Sequence, residues 1–414
     1  MNDYDLDEEV VEKIPYDQVP ITRGNFVAEK TTYYQTKEPK PKWFNGLVAL
    51  LLLINLTLGI VIVNLFIELK KPTEVYNMDI SIENAAASDV SNAVTKAKFS
   101  AVCVNAGSSS VSTISEFYHL SSRGSGVIID IDKEAGNAYI LTCYHVVSNS
   151  STNLPYDKVY ILPYGSNYPI EVEIVNYIYK NDICLLKVEN SNYIKACMAN
   201  AATIGDSSAI IEGQAAIAIG NALNAGLSAT TGVISNPRMI ISVSSNSEMR
   251  VMKVDTPINS GNSGGGLFDI NGNLIGIVNA KMMSSEIDNV AYAIPINFAY
   301  SIANSIRHYG SSISPKAATV GLGLIVTGNS TVDANGCLIQ KIAVNSVSGS
   351  AVAAGFKVGD VLISFTYNDK TVAIKSLYDI TDHAYNFYYG DTVSFVIERG
   401  GELKTLNVLI TNVS

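Results

Sequence analysis

Between Phe99 and Asn297, short apolar runs alternate with clusters of glycine, asparagine and serine. The runs have the length of a strand and are rich in β-branched residues; they read GVIIDI, AYILTCYHVV, KVYILPY, DICLLKV, AAIAIG, MRVMKVD, LIGIVNA and VAYAIPI. Strand-sized runs separated by frequent turn residues predict an all-β barrel or sandwich, and they argue against alternating βα units. A region of about 200 residues suits a pair of six-stranded barrels, although periodicity alone does not separate this arrangement from a large β-sandwich.

Helical patterns occur in three other places. The segment from Asp89 to Lys98 is short and amphipathic, and the segment from Ile296 to Tyr309 predicts a longer helix. Further along, the AVAAG stretch predicts a short helix that ends at Gly355.

The most apolar stretch of the chain lies near its N-terminus, at residues 44–69. From Leu47 to Ile67 it contains no charged residue. A helix of this length spans roughly 30 Å at about 1.5 Å per residue, which is enough to cross the hydrocarbon layer. A cleaved signal peptide is the alternative, but the stretch is too long for an h-region and follows a long polar tail. We therefore predict a disordered tail at 1–42, a transmembrane helix at 43–70 and a linker at 71–88.

Lysines near this segment predict its orientation. More of them precede the apolar stretch than follow it; they are Lys30, Lys37, Lys40 and Lys42 before it, and Lys70 and Lys71 after it. Because positively charged residues mark the cytoplasmic side of a membrane segment, the N-terminal tail is predicted to be cytoplasmic. The chain is therefore expected in the cell membrane, crossing it once, with the rest of the chain outside.

Composition and charge exclude several classes of protein. Hydrophobic residues make up 47% of the 414 residues and charged residues 16%, which predicts two or three well-packed domains. The formal net charge of −10 disfavours nucleic acid as a partner, because phosphate binding needs a basic surface. The five cysteines are odd in number and include no CxxC pair, so their spacing indicates neither a zinc site nor a disulfide scaffold. They are expected to be buried free thiols, and no metal or cofactor is predicted.

Three motifs carry candidate chemistry. LTCYHVV delivers His145 at the end of an apolar strand, NDICLLKV begins a buried strand with Asp182, and VDTPINSGNSGGGLFD places Ser263 in a glycine-rich loop. Each motif alone is common, but the order His, Asp, Ser with GNSGG at the serine matches the chymotrypsin-like arrangement of a catalytic triad. A serine hydroxyl needs a base to remove its proton, and a carboxylate holds the imidazole in the correct tautomer. We therefore assign Ser263 as nucleophile, His145 as general base and then acid, and Asp182 as the residue that orients His145.

The glycines around the serine have a second role in this hypothesis. They let the backbone turn so that amide N–H groups face the oxyanion that develops on the substrate. We assign the oxyanion hole to Gly261, Asn262 and Ser263, with the N–H groups of Gly261 and Ser263 as its chief donors. A side chain at Gly264 or Gly265 would crowd an approaching substrate.

With these motifs the chain resembles the HtrA (DegP/DegS-like) family of trypsin-fold serine proteases, over roughly residues 89–410. The resemblance includes the three catalytic motifs together with RGSGVIID, AIGN, TGVIS and AYAIPIN. It implies a mainly β fold, with a chymotrypsin/trypsin-like double β-barrel protease domain at 89–312 and a C-terminal PDZ domain at 313–414. It also implies a homotrimer and ATP-independent proteolysis of misfolded or regulatory proteins.

The chain departs from the usual residues of this family at several positions. Cys143 and Tyr144 stand where asparagine is frequent, and Asn221 is followed by Ala222 instead of a proline-glycine turn. Gly266 occupies a position usually filled by proline. None of these differences removes a catalytic group.

The residues before the nucleophile predict the substrate preference. Cleavage after arginine or lysine needs a carboxylate at the base of the pocket, and residues 257–262 contain none. Ile258 is expected to line a small apolar pocket, and Ala293 lies in the AYAIPIN motif, which the resemblance places beside that pocket. We therefore predict cleavage after valine-, alanine- or leucine-like side chains.

The sequence changes character after Pro315. The stretches VGLGLIV, SGSAVAAGFKVGDVLISF and DTVSFVIERGGELKTLNVLI together resemble a PDZ domain. The run formed by Gly321, Leu322, Gly323 and Leu324 is similar to the carboxylate-binding loop of such domains. The N–H groups of that loop capture the C-terminus of a peptide, which adds a strand to the sheet edge. Peptide C-termini are therefore expected partners.

These observations lead to one main hypothesis and two alternatives. The main hypothesis is a serine endopeptidase for quality control or regulation outside the cytoplasmic membrane, gated by peptide binding at the PDZ domain. The first alternative is a protease-fold chaperone or peptide-binding scaffold that does not cleave. The second is narrow signalling proteolysis of one membrane-protein substrate.

Overall fold

The structure is a computed structural model that describes residues 57–59, 90–244, 247–280, 290–311, 324–332 and 338–411. The predicted tail, the predicted linker and all of the predicted span except 57–59 lie outside these ranges. Within the ranges, no helix has both the length and the apolar character needed to cross a membrane. All described residues from Val90 onward belong to one compact unit of the chain.

The first β-barrel is a closed sheet of six antiparallel strands. Its strands are β1 (Ala101–Gly107), β2 (Ser122–Asp132), β3 (Asn137–Thr142), β4 (Lys158–Pro163), β5 (Ile170–Ile178) and β6 (Ile183–Val188). Their order around the barrel is β1-β2-β3-β6-β5-β4, and β4 pairs back onto β1. The β1 strand is buried along its whole length, so neither of its faces is open to solvent.

The second β-barrel is formed by the next part of the chain. Its strands are β7 (Thr203–Ile204), β8 (Ala215–Gly220), β9 (Ser228–Ser244), β10 (Ser247–Val254), β11 (Gly266–Phe268), β12 (Asn273–Asn279) and β13 (Ala291–Pro295). Six of them follow the order β11-β8-β9-β10-β13-β12, with β11 pairing to β12 to close the barrel, and β7 lies parallel beside β12. The prediction of paired barrels is therefore confirmed, and the single large sandwich is excluded.

Within the described ranges, five short or medium helices accompany the barrels. They are α1 (Val90–Ala97), α2 (Ile114–Tyr118), α3 (Tyr144–Val147), α4 (Asn192–Ala196) and α5 (Ile296–Tyr309). The predicted helix from Ile296 to Tyr309 is confirmed as α5, which ends where Gly310 adopts a φ of 66° and donates its N–H to the Ile306 carbonyl. One face of α5 packs into the core of the two barrels.

The C-terminal domain is built on a separate antiparallel sheet. Its elements are β14 (Leu324–Val332), β15 (Leu338–Val347), α6 (Gly349–Ala353), β16 (Val361–Tyr367), β17 (Lys370–Ala373), α7 (Tyr378–Thr381), β18 (Thr392–Arg399) and β19 (Glu402–Leu409). The strand order is β14-β15-β16-β18-β19, with β17 paired to β16. The predicted AVAAG helix is confirmed as α6, after which Gly355 adopts a φ of 86°.

The C-terminal domain packs against α5 through residues that follow α7. The rings of Phe298 and Tyr385 meet edge to face with their centroids 5.8 Å apart. Near the end of α5, His308 stacks on Tyr388 at 3.9 Å with the two rings nearly parallel. Aromatic pairs in such geometry add to the stabilisation that burial of their surface already gives.

A buried ion pair also joins the second barrel to the C-terminal domain. The guanidinium of Arg250 in β10 contacts the carboxylate of Asp382, and the two side chains are 8% and 1% exposed. The guanidinium also lies 4.2 Å from the ring centroid of Tyr378 in α7. Because an isolated buried charge is costly, each member of this pair depends on the other.

Replacing Arg250 with leucine is expected to lower the free energy of unfolding by about 3–5 kcal/mol, because Asp382 would stay buried without a counter-ion. The double variant Arg250→Leu/Asp382→Leu is expected to recover most of this loss, since no uncompensated charge remains. Urea denaturation of the single and double variants measures both effects. Lys404→Leu serves as the control; this lysine is 42% exposed beside Glu402, and its loss should cost under about 1 kcal/mol. Additive losses in the double variant would contradict the coupling.

Candidate active site

His145 lies in the first turn of α3, directly after β3. The sequence predicted one strand through LTCYHVV, but the strand ends at Thr142 and that prediction is wrong. The reason is the backbone of this turn: the Tyr144 N–H donates to the Asp182 carbonyl at 3.2 Å, and the His145 N–H donates to Asp182 Oδ1 at 2.8 Å. Both donors are therefore directed toward Asp182, and the short helix aims the imidazole at the same residue.

Asp182 stands between a 3-10 turn (Tyr179–Asn181) and β6, with a left-handed φ of 54°. This conformation is unusual for a residue other than glycine, and aspartate is among those that tolerate it best. The carboxylate is buried, and its Oδ2 accepts hydrogen bonds from His145 Nδ1 at 2.5 Å and from Asn279 Nδ2 at 2.7 Å. The structure thus brings His145 and Asp182 together, with the Nδ1 side of the imidazole held by the carboxylate.

Ser263 lies in the loop between β10 and β11 and is 4% exposed. Its Oγ accepts a hydrogen bond from the Ala280 N–H at 3.1 Å. Asn279 and Ala280 are consecutive, so the end of β12 holds both Asp182 and Ser263. Among the hydrogen bonds of the described residues, none joins Ser263 to His145. The hydroxyl proton of Ser263 is therefore left available for another acceptor.

Hydrogen bonds fix the orientation of two peptide groups in the loop at Ser263. The Ser260 carbonyl accepts the Leu223 N–H at 2.8 Å, and the Asn262 carbonyl accepts the Gly265 N–H at 2.9 Å. Since the C=O and N–H of a trans peptide point in opposite directions, the N–H groups of Gly261 and Ser263 point away from these contacts. Across the part of the chain that the structure describes, neither of these two N–H groups has a protein acceptor.

Asn262 differs from its two neighbours. Its N–H donates to the Asn259 carbonyl at 3.1 Å, so this donor is used within the turn. Gly261 adopts a φ of 96°, and a Cβ atom there would lie 2.2 Å from the Asn221 carbonyl oxygen. A glycine is therefore required at position 261 both by its backbone conformation and by the space available.

Two residues that support this site were not predicted from the sequence. Asn279 is one of them, and Ser125 of β2 is the other. The Ser125 Oγ donates to the Gly261 carbonyl at 2.7 Å and accepts the Asn221 N–H at 2.7 Å, while its own N–H donates to the Ser263 carbonyl at 2.8 Å. The sequence offered one weak signal for each: Ser125 is a polar residue in the strand motif RGSGVIID, and Asn279 is a polar residue near the end of the strand motif LIGIVNA.

Replacing Ser125 with alanine is expected to lower kcat by about 10- to 100-fold with little change in KM, because the Gly261 peptide loses a contact that orients it. The effect should be smaller than the loss of an oxyanion donor itself, because Ser125 positions the loop and touches no substrate. Steady-state hydrolysis of a peptide measures kcat and KM separately. Ser228→Ala is the control and should keep wild-type kcat, because the hydroxyl of Ser228 makes only a 3.5 Å contact, to the Gly220 carbonyl, among the residues that the structure describes. A change confined to KM would contradict the positioning role.

The two residues assigned to the specificity pocket lie in one buried apolar cluster of the second barrel. Ile258 is 5% exposed and Ala293 is fully buried. Residues 281–289, between β12 and β13, lie outside the described ranges. The acid that precedes Ser263 most closely along the chain is Asp255, whose Oδ1 accepts the Val233 N–H at 2.6 Å.

The predicted carboxylate-binding loop is described only in part. Gly321, Leu322 and Gly323 lie outside the described residues, and Leu324 is the first residue of β14. Within the described ranges, β14 pairs on one side only, with β15. Its other edge therefore presents backbone groups that could pair with an added strand.

Comparison with known proteins agrees with this arrangement. Residues 124–277 match the family model of the trypsin-like peptidase domain, and residues 320–410 match that of the PDZ domain. The serine protease Do-like HtrA of Lactococcus lactis subsp. cremoris is 29% identical over 82% of this chain and 86% of its own length. The protein of the same name from Lactococcus lactis subsp. lactis is 30% identical over 74% of each chain. A solved structure of the HtrA-type protease AlgW with a decapeptide is 24% identical, covering 78% of this chain and 98% of its own, with a TM-score of 0.45.

Proposed function

Because the chain belongs to the HtrA family of serine endopeptidases, with a trypsin-like domain and a PDZ domain, we propose that it cleaves misfolded or regulatory proteins through an acyl-enzyme. The observation that carries this proposal is the hydrogen bond between His145 Nδ1 and Asp182. It lies beside the end of β12, where Asn279 donates to Asp182 and the Ala280 N–H donates to Ser263. In the proposal these three residues are the catalytic triad.

The first half of the reaction forms the acyl-enzyme. Ser263 Oγ attacks the carbonyl carbon of the scissile bond while His145 Nε2 accepts the hydroxyl proton. Asp182 holds Nδ1–H and stabilises the positive imidazolium, and the N–H groups of Gly261 and Ser263 receive the oxyanion. Collapse of the tetrahedral intermediate breaks the C–N bond, and His145 gives its proton to the leaving amine.

The second half releases the product. Water attacks the ester carbonyl carbon while His145 accepts one of its protons, and the same oxyanion donors hold the negative charge. Collapse of this second tetrahedral intermediate breaks the bond between the carbonyl carbon and Ser263 Oγ, and His145 gives its proton to Oγ as the bond breaks. Each proton accepted by the imidazole is thus returned, and the enzyme regains its starting state.

The proposal extends to specificity and to the C-terminal domain. The buried apolar cluster that contains Ile258 and Ala293 supports a preference for small apolar side chains at the cleavage site. The open edge of β14 supports binding of a peptide C-terminus as an added strand. Since α7 and the residues after it contact both β10 and α5, a ligand at this domain would act on elements of the second barrel.

Location and assembly are also part of the proposal. The uncharged run from Leu47 to Ile67 and the lysines before it support a single membrane anchor with a cytoplasmic N-terminus and an extracytoplasmic protease domain. Family membership supports a homotrimer. Protease digestion of intact cells tests the location, because an extracytoplasmic domain is accessible to added protease and a cytoplasmic tail is not. Size measurement of the detergent-solubilised protein tests the homotrimer.

The central experiment uses diisopropyl fluorophosphate and mass spectrometry. A covalent adduct is expected on Ser263 in the wild-type chain and not in His145→Ala, because only an activated serine reacts. Absence of the adduct, together with binding of denatured proteins that stay intact, would favour the non-cleaving scaffold. Broad quality control predicts degradation of many denatured proteins, whereas narrow signalling predicts cleavage of one or a few peptides.

A further inference from the structure

A third potential metal ligand lies beside His145 and Asp182. The Cys143 sulfur, one nitrogen of His145 and one carboxylate oxygen of Asp182 all lie within 4.8 Å of one another. No spacing motif indicates this group; it forms because Cys143 immediately precedes α3 and Asp182 approaches the same turn. Cys143 is also one of the positions at which the chain departs from the usual family residues.

We propose that Cys143, His145 Nδ1 and Asp182 form an inhibitory binding site for Zn²⁺. Thiolate, imidazole and carboxylate are the three side-chain ligand types of zinc, and tetrahedral zinc with three protein ligands leaves one position for water. In such a site the ligand atoms stand about 3.3–3.8 Å apart. His145 Nδ1 and Asp182 Oδ2, now 2.5 Å apart, would therefore have to separate by about 1 Å, and a pair at the 4.8 Å limit would have to close by about 1.0–1.5 Å. The inhibition, but not the binding of Zn²⁺, rests on the proposed function, because it requires His145 to be the general base.

Charge favours the same ion. Cys143 is completely buried and Asp182 is 7% exposed, so a thiolate and a carboxylate here would be two anions in a place that water hardly reaches. A divalent cation neutralises both, whereas a monovalent cation would leave a net buried charge. The Cys143 thiol donates to the Val278 carbonyl at 3.4 Å, and a thiol is a weak donor, so a bond from the sulfur to a metal is the stronger interaction.

The Asp182 carboxylate has acceptor capacity for a metal. Its carboxylate offers about four acceptor positions and accepts three described hydrogen bonds, one of them from His145 Nδ1. Zn²⁺ would replace only that bond, and the contacts from the His145 backbone and from Asn279 would remain. The imidazole is 21% exposed, so the ion would enter from the active-site side.

The proton balance explains why binding inhibits. Zn²⁺ takes the lone pair of Nδ1, the proton of Nδ1 moves through solvent to Nε2, and the thiol of Cys143 releases one proton. His145 then carries its proton on Nε2, the nitrogen that must accept the Ser263 proton. The imidazole is neutral but is no longer a base at that atom, so hydrolysis stops without any change at Ser263.

The first test is a titration of peptide hydrolysis with buffered free Zn²⁺ in the full chain. Wild type is expected to be inhibited, and Cys143→Ala is expected to need at least about tenfold more Zn²⁺ for half inhibition, a difference of about 1.4 kcal/mol. Cys184→Ala is the matched control: its buried thiol lies two residues after Asp182, burial raises its pKa, and it is outside the ligand group. Equal sensitivity of wild type and Cys143→Ala, or no inhibition of wild type, would overturn the proposal.

The second test does not depend on activity. Co²⁺ added to Ser263→Ala is expected to give a thiolate-to-metal absorption band, which is lost in Ser263→Ala/Cys143→Ala and kept in Ser263→Ala/Cys184→Ala. Cys143→Ser replaces the alanine variant if alanine prevents folding. A wild-type chain that hydrolyses nothing would contradict the proposed function, while this band would still report the site. Absence of the band in Ser263→Ala would overturn the site even in an active enzyme.

Discussion

Replacing Ser263 with alanine is expected to lower kcat for peptide hydrolysis by about 10⁵- to 10⁶-fold, because without the nucleophile the imidazole has no partner to activate. The remaining rate would come from the oxyanion donors and from substrate binding, which the substitution leaves in place. The N–H of residue 263 and the carbonyl that accepts the Ser125 N–H are backbone groups, so the loop should keep its shape. Substrate affinity is therefore expected to change little.

The measurement compares initial rates for wild type, Ser263→Ala and Ser260→Ala with one peptide and with denatured casein. Ser260 lies in the same loop with an exposed side chain, and only its carbonyl takes part in the described contacts, so Ser260→Ala should keep wild-type activity. Equal turnover of casein by wild type and Ser263→Ala would show that the measured hydrolysis does not use this serine. Loss of activity in Ser260→Ala, with activity kept in Ser263→Ala, would mean that Ser260 and not Ser263 is needed for hydrolysis.

The architecture of the two barrels was predictable because its signal is local. Each strand of a packed barrel is a short apolar run, and each turn needs residues such as glycine, asparagine or serine, so the pattern repeats along the chain. The long helix at Ile296–Tyr309 was predictable for the same reason, since its apolar face recurs at helical spacing. What periodicity could not decide was barrel or sandwich, because that depends on whether β11 pairs with β12 and β4 with β1.

The site was predictable only where a residue type and its neighbours were both distinctive. His145, Asp182 and Ser263 stand in recognisable motifs, whereas Ser125 and Asn279 are polar residues in ordinary strands. Their roles arise from contacts across 136 and 97 residues of sequence, which no local pattern reveals. The left-handed turn at Asp182 and the early end of β3 have the same origin, because they follow from hydrogen bonds between the two segments.

The contact between the second barrel and the C-terminal domain shows a further limit. Arg250 lies in a strand motif, MRVMKVD, where a basic residue predicts a solvent-exposed face. It is instead buried against Asp382 and Tyr378, since another domain covers that face. A charge in a strand is therefore consistent with an exposed surface or with an interface, and only the fold separates the two.

Replacing Asp182 with asparagine is expected to lower kcat by about 10⁴-fold near neutral pH, because the amide reverses the polarity of the contact to Nδ1. The asparagine oxygen can still accept the His145 backbone N–H, so its NH₂ group faces the imidazole. An NH₂ donor there needs an unprotonated Nδ1, which places the imidazole proton on Nε2. That nitrogen then cannot accept the Ser263 proton, and the imidazolium formed during attack loses its negative partner.

The geometry predicts how this loss divides between the kinetic constants. Asp182 is buried behind His145 and is not expected to touch the substrate, so KM should stay near its wild-type value while kcat falls. Steady-state kinetics of Asp182→Asn, with the exposed Asp157→Asn as control, measures this division, and circular dichroism checks that the variant keeps the secondary-structure content of wild type. The same tautomer, with the proton on Nε2, is the one proposed for the zinc-bound enzyme. Zn²⁺ should therefore remove a much smaller fraction of the activity of Asp182→Asn than of wild type. A variant that keeps more than a tenth of wild-type kcat would mean that this carboxylate does not orient the base.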